Sequence, residues 1–209
     1  MESFYNMLIA LPAILIALTF HEYAHGWVAD RLGDRTPFYQ GRLTLNPLPH
    51  IDWVGFLMLF IFHFGWAKPV QVDPRNFKNV SHKKGMLLVS LAGPGMNLLL
   101  AVLGMLLLKL LVPFQNVSWA GLLIPLLLPL IYINVILAVF NLIPVPPLDG
   151  SKILAGLLPD SGAQIIYSLE RYGPLILIVL LLTNSFSKIL NPLFNVIDTI
   201  LRVYVGISV

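Results

Sequence analysis

The sequence predicts an all-α polytopic membrane protein that forms a single domain over residues 1–209. Of its 209 residues, 57% are hydrophobic and 11% are charged, and the mean hydropathy is +0.83. An ordinary soluble domain is about 25% charged. A membrane helix needs about 20 apolar residues, and four stretches reach that length: 4–28, 86–112, 119–143 and 164–183. We expect the first three to form a three-helix core within residues 4–158.

Two further apolar stretches do not fit a simple crossing of the bilayer. Residues 188–208 contain Asp198 and Arg202, which can pair on one helix face, so this stretch either spans or lies flat. The C-terminal part, 164–208, is therefore predicted to hold one or two helices. Residues 53–66 are too few for a comfortable crossing, and we expect a short re-entrant segment there.

Two short segments are predicted to be β-strands at the membrane boundary. Residues 41–47, "GRLTLNP", and 65–72, "GWAKPVQV", both alternate in side-chain character. The proline in the second segment confines it to the edge of a sheet.

The charged residues indicate which loops face the cytoplasm. Eight of the thirteen Lys and Arg residues lie between Arg31 and Lys84, and such a concentration follows the positive-inside rule. The net charge of +3 is therefore attributed to a cytoplasmic loop and not to a nucleic-acid surface. The chain has no cysteine, which excludes disulfides and thiolate metal ligands.

The first predicted helix carries ionisable groups where lipid should exclude them. In "HEYAH", His21 and His25 are four residues apart and share one helix face, and Glu22 lies about 100° round the helix. This is the pattern of two zinc ligands and a general base. The helix leaves the bilayer near Asp30 and Arg31, so His21 lies roughly 13 Å inside that end. Ionisable groups at such a depth are costly, and a metal site explains them better than a buried Glu–His pair.

A zinc site needs a third protein ligand, and without cysteine this must be His, Asp or Glu. We expect Asp149, in "NLIPVPPLDGSKIL" directly after the third long span. The prolines of this string break the helix and open a polar pocket at membrane depth. On local sequence alone, Asp149 could instead cap a helix that starts at Ser151. His50 is the rival ligand and His63 a weaker one.

The three ligands must meet at one depth in the membrane. They lie near the C-terminal ends of their helices, so those ends must face the same side. This holds if 53–66 is re-entrant and the three long helices run out-to-in, in-to-out and out-to-in. We therefore expect a multi-pass protein of the cell membrane, with an extracytoplasmic N terminus and a site near the cytoplasmic side.

Four motifs in order resemble those of the site-2 protease family of intramembrane zinc metalloproteases: "HEYAH", "GWAKPV", "LAGPGMN" and "FNLIPVPPLDG". The compact prokaryotic branch without a PDZ domain is the most similar, because no segment is long enough to hold one. The resemblance implies that one zinc ion is held by His21, His25 and Asp149, and that Glu22 is the catalytic base. It also implies that Asn141 holds the substrate backbone or the oxyanion, although on local sequence Asn141 is equally well a helix-end cap. The substrates would be transmembrane proteins or peptides in the lipid bilayer.

The resemblance further implies a membrane-associated β segment beside the active site. An extended substrate would add to its edge near 65–72, and the candidate substrate contacts are Asn46, His50, Trp66 and Lys68. The small residues of "LAGPGMN" are interpreted as packing positions, since they let helices approach closely in lipid.

The alternative function is a metal-ion transporter or a proteolytically inactive metal-binding protein, because intramembrane His and Asp also line ion pathways. Glu22 distinguishes these functions. A transport site does not need a carboxylate that stands beside the metal without being a ligand, and an inactive relative would usually have lost it. We therefore expect peptide-bond hydrolysis in the membrane.

Overall fold

The computed structural model describes residues 2–62, 65–183 and 185–206. This part of the chain is mostly helical and has no β-sheet. The predicted membrane character is confirmed, because four helical stretches are long and apolar enough to cross a bilayer. The α-helices have the bounds α1 Glu2–Arg31, α2 Thr36–Tyr39, α3 Trp53–Phe62, α4 His82–Leu111, α5 Ser118–Leu142, α6 Asp149–Leu157, α7 Asp160–Leu169, α8 Gly173–Leu182 and α9 Ser185–Ile200.

Helices α1, α4 and α5 pack against one another, and α6 packs mainly against α4. Small residues permit this packing. At Gly104 of α4, for example, an added Cβ would lie 3.0 Å from the side chain of Ile131 on α5. Lipid tails are as apolar as leucine, so close backbone approach through small residues is what holds such helices together. The three long spans predicted from the sequence agree with these helices to within a few residues at each end.

The polar segments around α3 differ from the predicted strands. Residues 41–47 form turns and bends, and the described part of 65–72 makes one antiparallel bridge, between Ile51 and Ala67. The two-strand prediction is therefore wrong. In the first segment the side chains of Thr44 and Asn46 accept backbone hydrogen bonds two residues along, which turns the chain away from an extended conformation. In the second segment Pro69 has no N–H to donate to a ladder.

Helix α3 begins and ends beside the same bridge. Its 10 residues measure roughly 15 Å along the axis, about half the thickness of the hydrocarbon core. Since residues 51 and 67 pair with each other, the chain returns after α3 to the place from which it left. This arrangement supports a re-entrant segment. His63 lies outside the described residues.

The end of α1 is joined to the loop that precedes α4. Asp34, which is fully buried, accepts hydrogen bonds from the Asp73 N–H at 2.7 Å and from Asn76 Nδ2 at 2.9 Å. Thr36 also donates its hydroxyl to this carboxylate. Burial alone would raise the pKa of Asp34, but these hydrogen bonds outweigh it and lower the pKa below the usual range. Both flanks of α3 are therefore held at one end of α1.

The C-terminal part contains more breaks than the sequence predicts. The predicted span 164–183 is divided into α7 and α8 by a 3₁₀ turn at Glu170–Tyr172. Helix α9 continues into a π-helical turn, Leu201–Val205, and packs on the ends of α4 and α5 through Ile197 and Leu201. The Tyr132 hydroxyl on α5 donates a hydrogen bond to Asp198. Asp198 is thus satisfied by α5, and not by the predicted pairing with Arg202.

Candidate metal centre

His21 and His25 lie on the face of α1 that is turned towards α4. Both side chains are buried, and their Nε2 atoms are 3.0 Å apart. The spacing of four residues in a regular helix brings the rings together in this way. The site therefore begins as a pair of imidazoles within a helix of membrane length.

Asp149 completes the group from the other side of the bundle. Helix α5 ends at Leu142, and α6 starts at Asp149 itself, with Leu148 as its N-cap residue. Asp149 Oδ2 lies 3.2 Å from His21 Nε2 and 3.1 Å from His25 Nε2. The carboxylate thus faces the imidazoles and does not cap a helix at Ser151.

Gly150 explains why α6 can start so close to the end of α5. A Cβ at this position would lie 2.3 Å from the carbonyl oxygen of Ile143 and 2.4 Å from that of Leu142. Such distances do not occur for real side chains, so only glycine allows the approach. The glycine after Asp149 thereby sets the position of the carboxylate.

The outer nitrogen of each imidazole has a buried acceptor. His25 Nδ1 lies 2.7 Å from the Val89 carbonyl oxygen, and His21 Nδ1 lies 2.6 Å from Asn97 Oδ1. The amide of Asn97 is oriented in turn, because its Nδ2 donates to the Ala17 carbonyl and to Asn134 Oδ1. Both Nδ1 atoms therefore carry the proton, and both Nε2 atoms present a lone pair.

Sequence reasoning missed Asn97 and Asn134. Each is completely buried, and each stands in an otherwise apolar span. The signal that could have found them is an uncharged amide at membrane depth, because such a group needs hydrogen-bond partners within the protein there. Asn97 is also the last residue of "LAGPGMN", which was interpreted for its small residues alone.

The donor set fits a metal ion. Two imidazole lone pairs and a carboxylate oxygen converge, and these three ligand atoms all lie within 4.8 Å of one another. Three acceptors in a buried space repel one another unless a cation or protons lie between them. Nitrogen and oxygen ligands in this combination suit zinc.

Gly93 of α4 lies against the Nε2–Cε1 edges of the two imidazoles. A Cβ at this position would lie 2.4 Å from His25 Nε2 and 2.6 Å from His21 Cε1. The interpretation of "LAGPGMN" as a packing motif agrees with this contact, since the small residue allows close approach. What approaches, however, is the pair of imidazole rings.

Glu22 is held next to the centre by the segment that follows α3. Its side chain is 9% exposed, and its Oε2 accepts a hydrogen bond of 2.8 Å from the Val70 N–H. This bond fixes the direction of the carboxylate relative to the neighbouring His21.

His50, the rival ligand, lies apart from the group of His21, His25 and Asp149. Its Nε2 is 2.9 Å from the Thr44 carbonyl oxygen, and its Nδ1 is 3.4 Å from Arg42 Nη2. Burial lowers the pKa of His50, so its imidazole is neutral. Both nitrogens are used to hold the loop between α2 and α3.

The remaining predicted site residues lie around the centre without joining it. Asn141 is half-buried and donates to the Leu137 carbonyl one turn earlier in α5. Asn46 is exposed, and its side chain accepts from the Leu48 N–H. Trp66 and Lys68 are exposed on the segment after α3.

An apolar cavity of about 380 Å³ lies between α1, α3, α5 and residues 65–67. Thr19, Ala67 and Phe140 are among the residues that line it. Leu18, about one helical turn before His21 in α1, also lines it, whereas none of the three candidate ligands does. The cavity offers space for apolar side chains.

Comparisons with known proteins agree on one family. The model of peptidase family M50 matches residues 111–183. The protein named "Putative zinc metalloprotease YwhC" from Bacillus subtilis is 38% identical over 198 residues, which cover 93% of this chain and 90% of the relative. The "Putative zinc metalloprotease Rip2" of Mycolicibacterium smegmatis is 32% identical over 186 residues, or 87% of this chain and 69% of the relative. No solved structure matches the chain.

Proposed function

Since the chain belongs to peptidase family M50, the site-2 protease family of membrane zinc metalloproteases, we propose that it hydrolyses peptide bonds within or near transmembrane segments of other membrane proteins. The observation that carries this proposal is the meeting of His21, His25 and Asp149 inside a bundle of membrane-length helices. A reaction centre enclosed by such helices is accessible to substrates that are themselves in the membrane.

One zinc ion per chain would be held by His21 Nε2, His25 Nε2 and a carboxylate oxygen of Asp149. A bound zinc ion with three protein ligands lowers the pKa of a water to about 7 and polarises a carbonyl group. Asn97 and the Val89 carbonyl hold the two imidazoles with their Nε2 lone pairs inward. Such outer partners orient the ligands and raise their basicity.

Glu22 is the general base. The Val70 N–H holds Oε2, so the carboxylate keeps one orientation while its other oxygen takes the proton from the attacking water. A carboxylate within hydrogen-bonding reach of the water is suited to this role. The same group then returns the proton to the leaving amine.

The segment after α3 binds the substrate in an extended conformation. Lys68 donates its N–H to the His50 carbonyl at 2.9 Å, next to the bridge between Ile51 and Ala67. In a pair flanked in this way, the N–H and C=O of Ala67 point away from Ile51. They are available to an added strand, and the exposed Trp66 and Lys68 side chains lie beside it.

Asn141 and the loop before α3 also contribute to substrate binding, apart from the edge formed by residues 65–72. Asn141 turns its amide from Leu137 towards the substrate backbone or the oxyanion. Asn46 and His50 support the extended segment, since His50 supplies the carbonyl that accepts from Lys68.

The test of this function uses the full chain purified in detergent with zinc. We expect cleavage of a panel of single-span substrates, with the cut bonds located by mass spectrometry within or next to the span. Helix-breaking residues near the cut should increase the rate, because a helical amide is internally bonded. Cleavage confined to soluble peptides would contradict the proposal, and zinc transport without cleavage would support the transporter alternative.

The topology of α3 gives a separate prediction. Both flanks of α3 should be cytoplasmic, since they are tied together by the bridge and Asp34, and the loop after α4 should be extracytoplasmic. Single cysteines at the exposed residues Gln40, His82 and Gln115 report these positions without a background, because the chain has no cysteine. In intact cells, a membrane-impermeant thiol reagent should label Gln115→Cys alone. It should label Gln40→Cys and His82→Cys after the membrane is opened.

Labelling of His82→Cys without Gln40→Cys in intact cells would mean that the chain crosses the membrane at α3. The helix ends that carry His25 and Asp149 would then face opposite sides, and the topology would be wrong.

A further inference from the structure

Arg42 is a cation buried outside the metal centre. Its side chain lies in the loop between α2 and α3 and is 4% exposed. Nη1 donates to the Pro69 carbonyl at 3.3 Å, and Nη2 donates to the Lys68 carbonyl. Its Nε is buried and makes no hydrogen bond with the described residues. Burying a charge with one donor unsatisfied is costly, so the arrangement needs an explanation beyond packing.

Both backbone contacts of Arg42 are made to the segment 65–72, which has few backbone hydrogen bonds of its own. Residues 65–72 make one bridge, and Pro69 has no N–H to offer. The carbonyls of Lys68 and Pro69 accept from Arg42 in place of a second strand. The guanidinium group satisfies both, since its planar set of donors reaches two acceptors at once.

A single rigid peptide group connects Arg42 to Glu22. The carbonyl of Pro69 and the N–H of Val70 belong to the same planar unit, and in a trans peptide they point in opposite directions. Arg42 Nη1 binds the carbonyl end, and the N–H end binds Glu22 Oε2 at 2.8 Å. Any rotation of this plane changes both contacts together. A positive donor on the carbonyl also polarises the peptide and strengthens its N–H as a donor.

His50 also contacts the guanidinium group of Arg42. Its Nε2–H donates to the Thr44 carbonyl, which leaves the Nδ1 lone pair facing Arg42 Nη2 at 3.4 Å. The neutral imidazole therefore adds an acceptor without adding a second positive charge.

We propose that Arg42 is a positioning residue that holds the Pro69–Val70 peptide plane, and through it the catalytic carboxylate of Glu22. The proposal rests on the proposed function, since it takes Glu22 to be the general base. It assigns to Arg42 a contribution to turnover, and none to zinc binding.

The test compares Arg42→Gln, Arg42→Lys and Val70→Pro with wild type in detergent, with zinc bound. Arg42→Gln should lower kcat on the order of 10–100-fold, because a misplaced Glu22 loses part of what a general base contributes. KM should change less than about threefold. Arg42→Lys should fall between Arg42→Gln and wild type, because one ammonium cannot replace the planar fork. Zinc content should equal that of wild type, and hydrogen exchange of the Val70 amide should become faster in Arg42→Gln.

The double variant Arg42→Gln/Val70→Pro tests whether Arg42 acts on Glu22 through the Val70 N–H. Val70→Pro removes the N–H that binds Glu22, so adding Arg42→Gln should lower kcat little further. Arg35→Gln is the matched control: this arginine lies in the same region but is exposed and pairs with Asp30, and its kcat should stay within about twofold of wild type.

Several outcomes would overturn the proposal. These are a kcat of Arg42→Gln within threefold of wild type, losses that multiply in the double variant, or a loss of zinc in Arg42→Gln. If Arg42→Gln does not fold, Arg42→Lys and Val70→Pro carry the comparison. Glu22→Gln separates this proposal from the function itself. An active Glu22→Gln refutes the role of Glu22 as the base, whereas an inactive Glu22→Gln with a normal Arg42→Gln refutes only the positioning role of Arg42.

Discussion

A Glu22→Gln variant is expected to cleave a single-span substrate about 10³-fold more slowly than wild type while it retains wild-type zinc. The amide oxygen of glutamine can still accept the Val70 N–H that now binds Glu22 Oε2 at 2.8 Å, so the side chain keeps its place. What it loses is the ability to take a proton from water, and a general base contributes typically about 10²–10⁴-fold. Cleavage rates and metal analysis of the same preparation give both quantities.

Zinc content is the internal control of the Glu22→Gln experiment, because His21, His25 and Asp149 are unchanged. An activity within tenfold of wild type would show that Glu22 is not the base. A variant that lost zinc would instead mean that Glu22 is a ligand.

The second large effect is expected from adding a single methyl group to α4. Gly93→Ala would place a Cβ 2.4 Å from His25 Nε2 and 2.6 Å from His21 Cε1. The rings cannot swing aside without losing their Nδ1 hydrogen bonds to Val89 and Asn97. Zinc affinity should therefore fall by at least about 10–100-fold, which is the range for disturbed ligand orientation, and cleavage should fall with it.

Gly95→Ala provides the matched control on the same helix. A Cβ at this position has no described heavy atom within 4 Å, and both substitutions make the same gain in helix propensity. Gly95→Ala should keep wild-type zinc and activity. Equal zinc affinity in both variants, measured by competition with a chelating dye, would contradict the position of Gly93 against the imidazoles.

The long helices were predictable because their apolar stretches exceed what a soluble protein can bury. The local sequence also placed the helix break before Asp149, since a helix such as α5 cannot continue through three prolines in four residues. The break inside 164–183 falls at "ERYGP", 170–174, where two charges and a Gly-Pro pair gave a local signal that the sequence reasoning did not use. The packing of α9 on α4 and α5 depends on tertiary contacts, and no local pattern indicates it. Tyr132, for instance, binds Asp198 across two helices.

The strands were predicted wrongly for a reason that concerns hydrogen bonds. Alternating side chains indicate an extended backbone, and the second segment is extended near Ala67. A ladder, however, needs a partner for each N–H and C=O. Here Arg42 takes the carbonyls of Lys68 and Pro69, and Glu22 takes the N–H of Val70. Long-range side-chain contacts of this kind leave no periodic signal in the sequence.

The sequence predicted the candidate metal ligands, but not the residues that orient them and Glu22. The spacing of His21 and His25 places both rings on one face whatever surrounds them. The sequence already favoured Asp149 over His50, and the fold gives the physical reason, because both nitrogens of His50 are used in the loop. Asn97, Val89 and Arg42 act through contacts between segments that are far apart in sequence, so spacing could not find them.

Zinc K-edge X-ray absorption of Asp149→Cys tests most directly whether His21, His25 and residue 149 hold the metal. The chain has no cysteine, so any thiolate ligand must come from the introduced residue. A zinc–sulfur distance of about 2.3 Å is readily separated from the 2.0–2.2 Å of nitrogen and oxygen ligands. His50→Cys is the control, because it places the only thiol at the rival position.

We expect one sulfur in the zinc shell of Asp149→Cys, together with nitrogen from the two imidazoles, and no sulfur in that of His50→Cys. Sulfur bound to zinc in His50→Cys but not in Asp149→Cys would contradict the proposed metal centre.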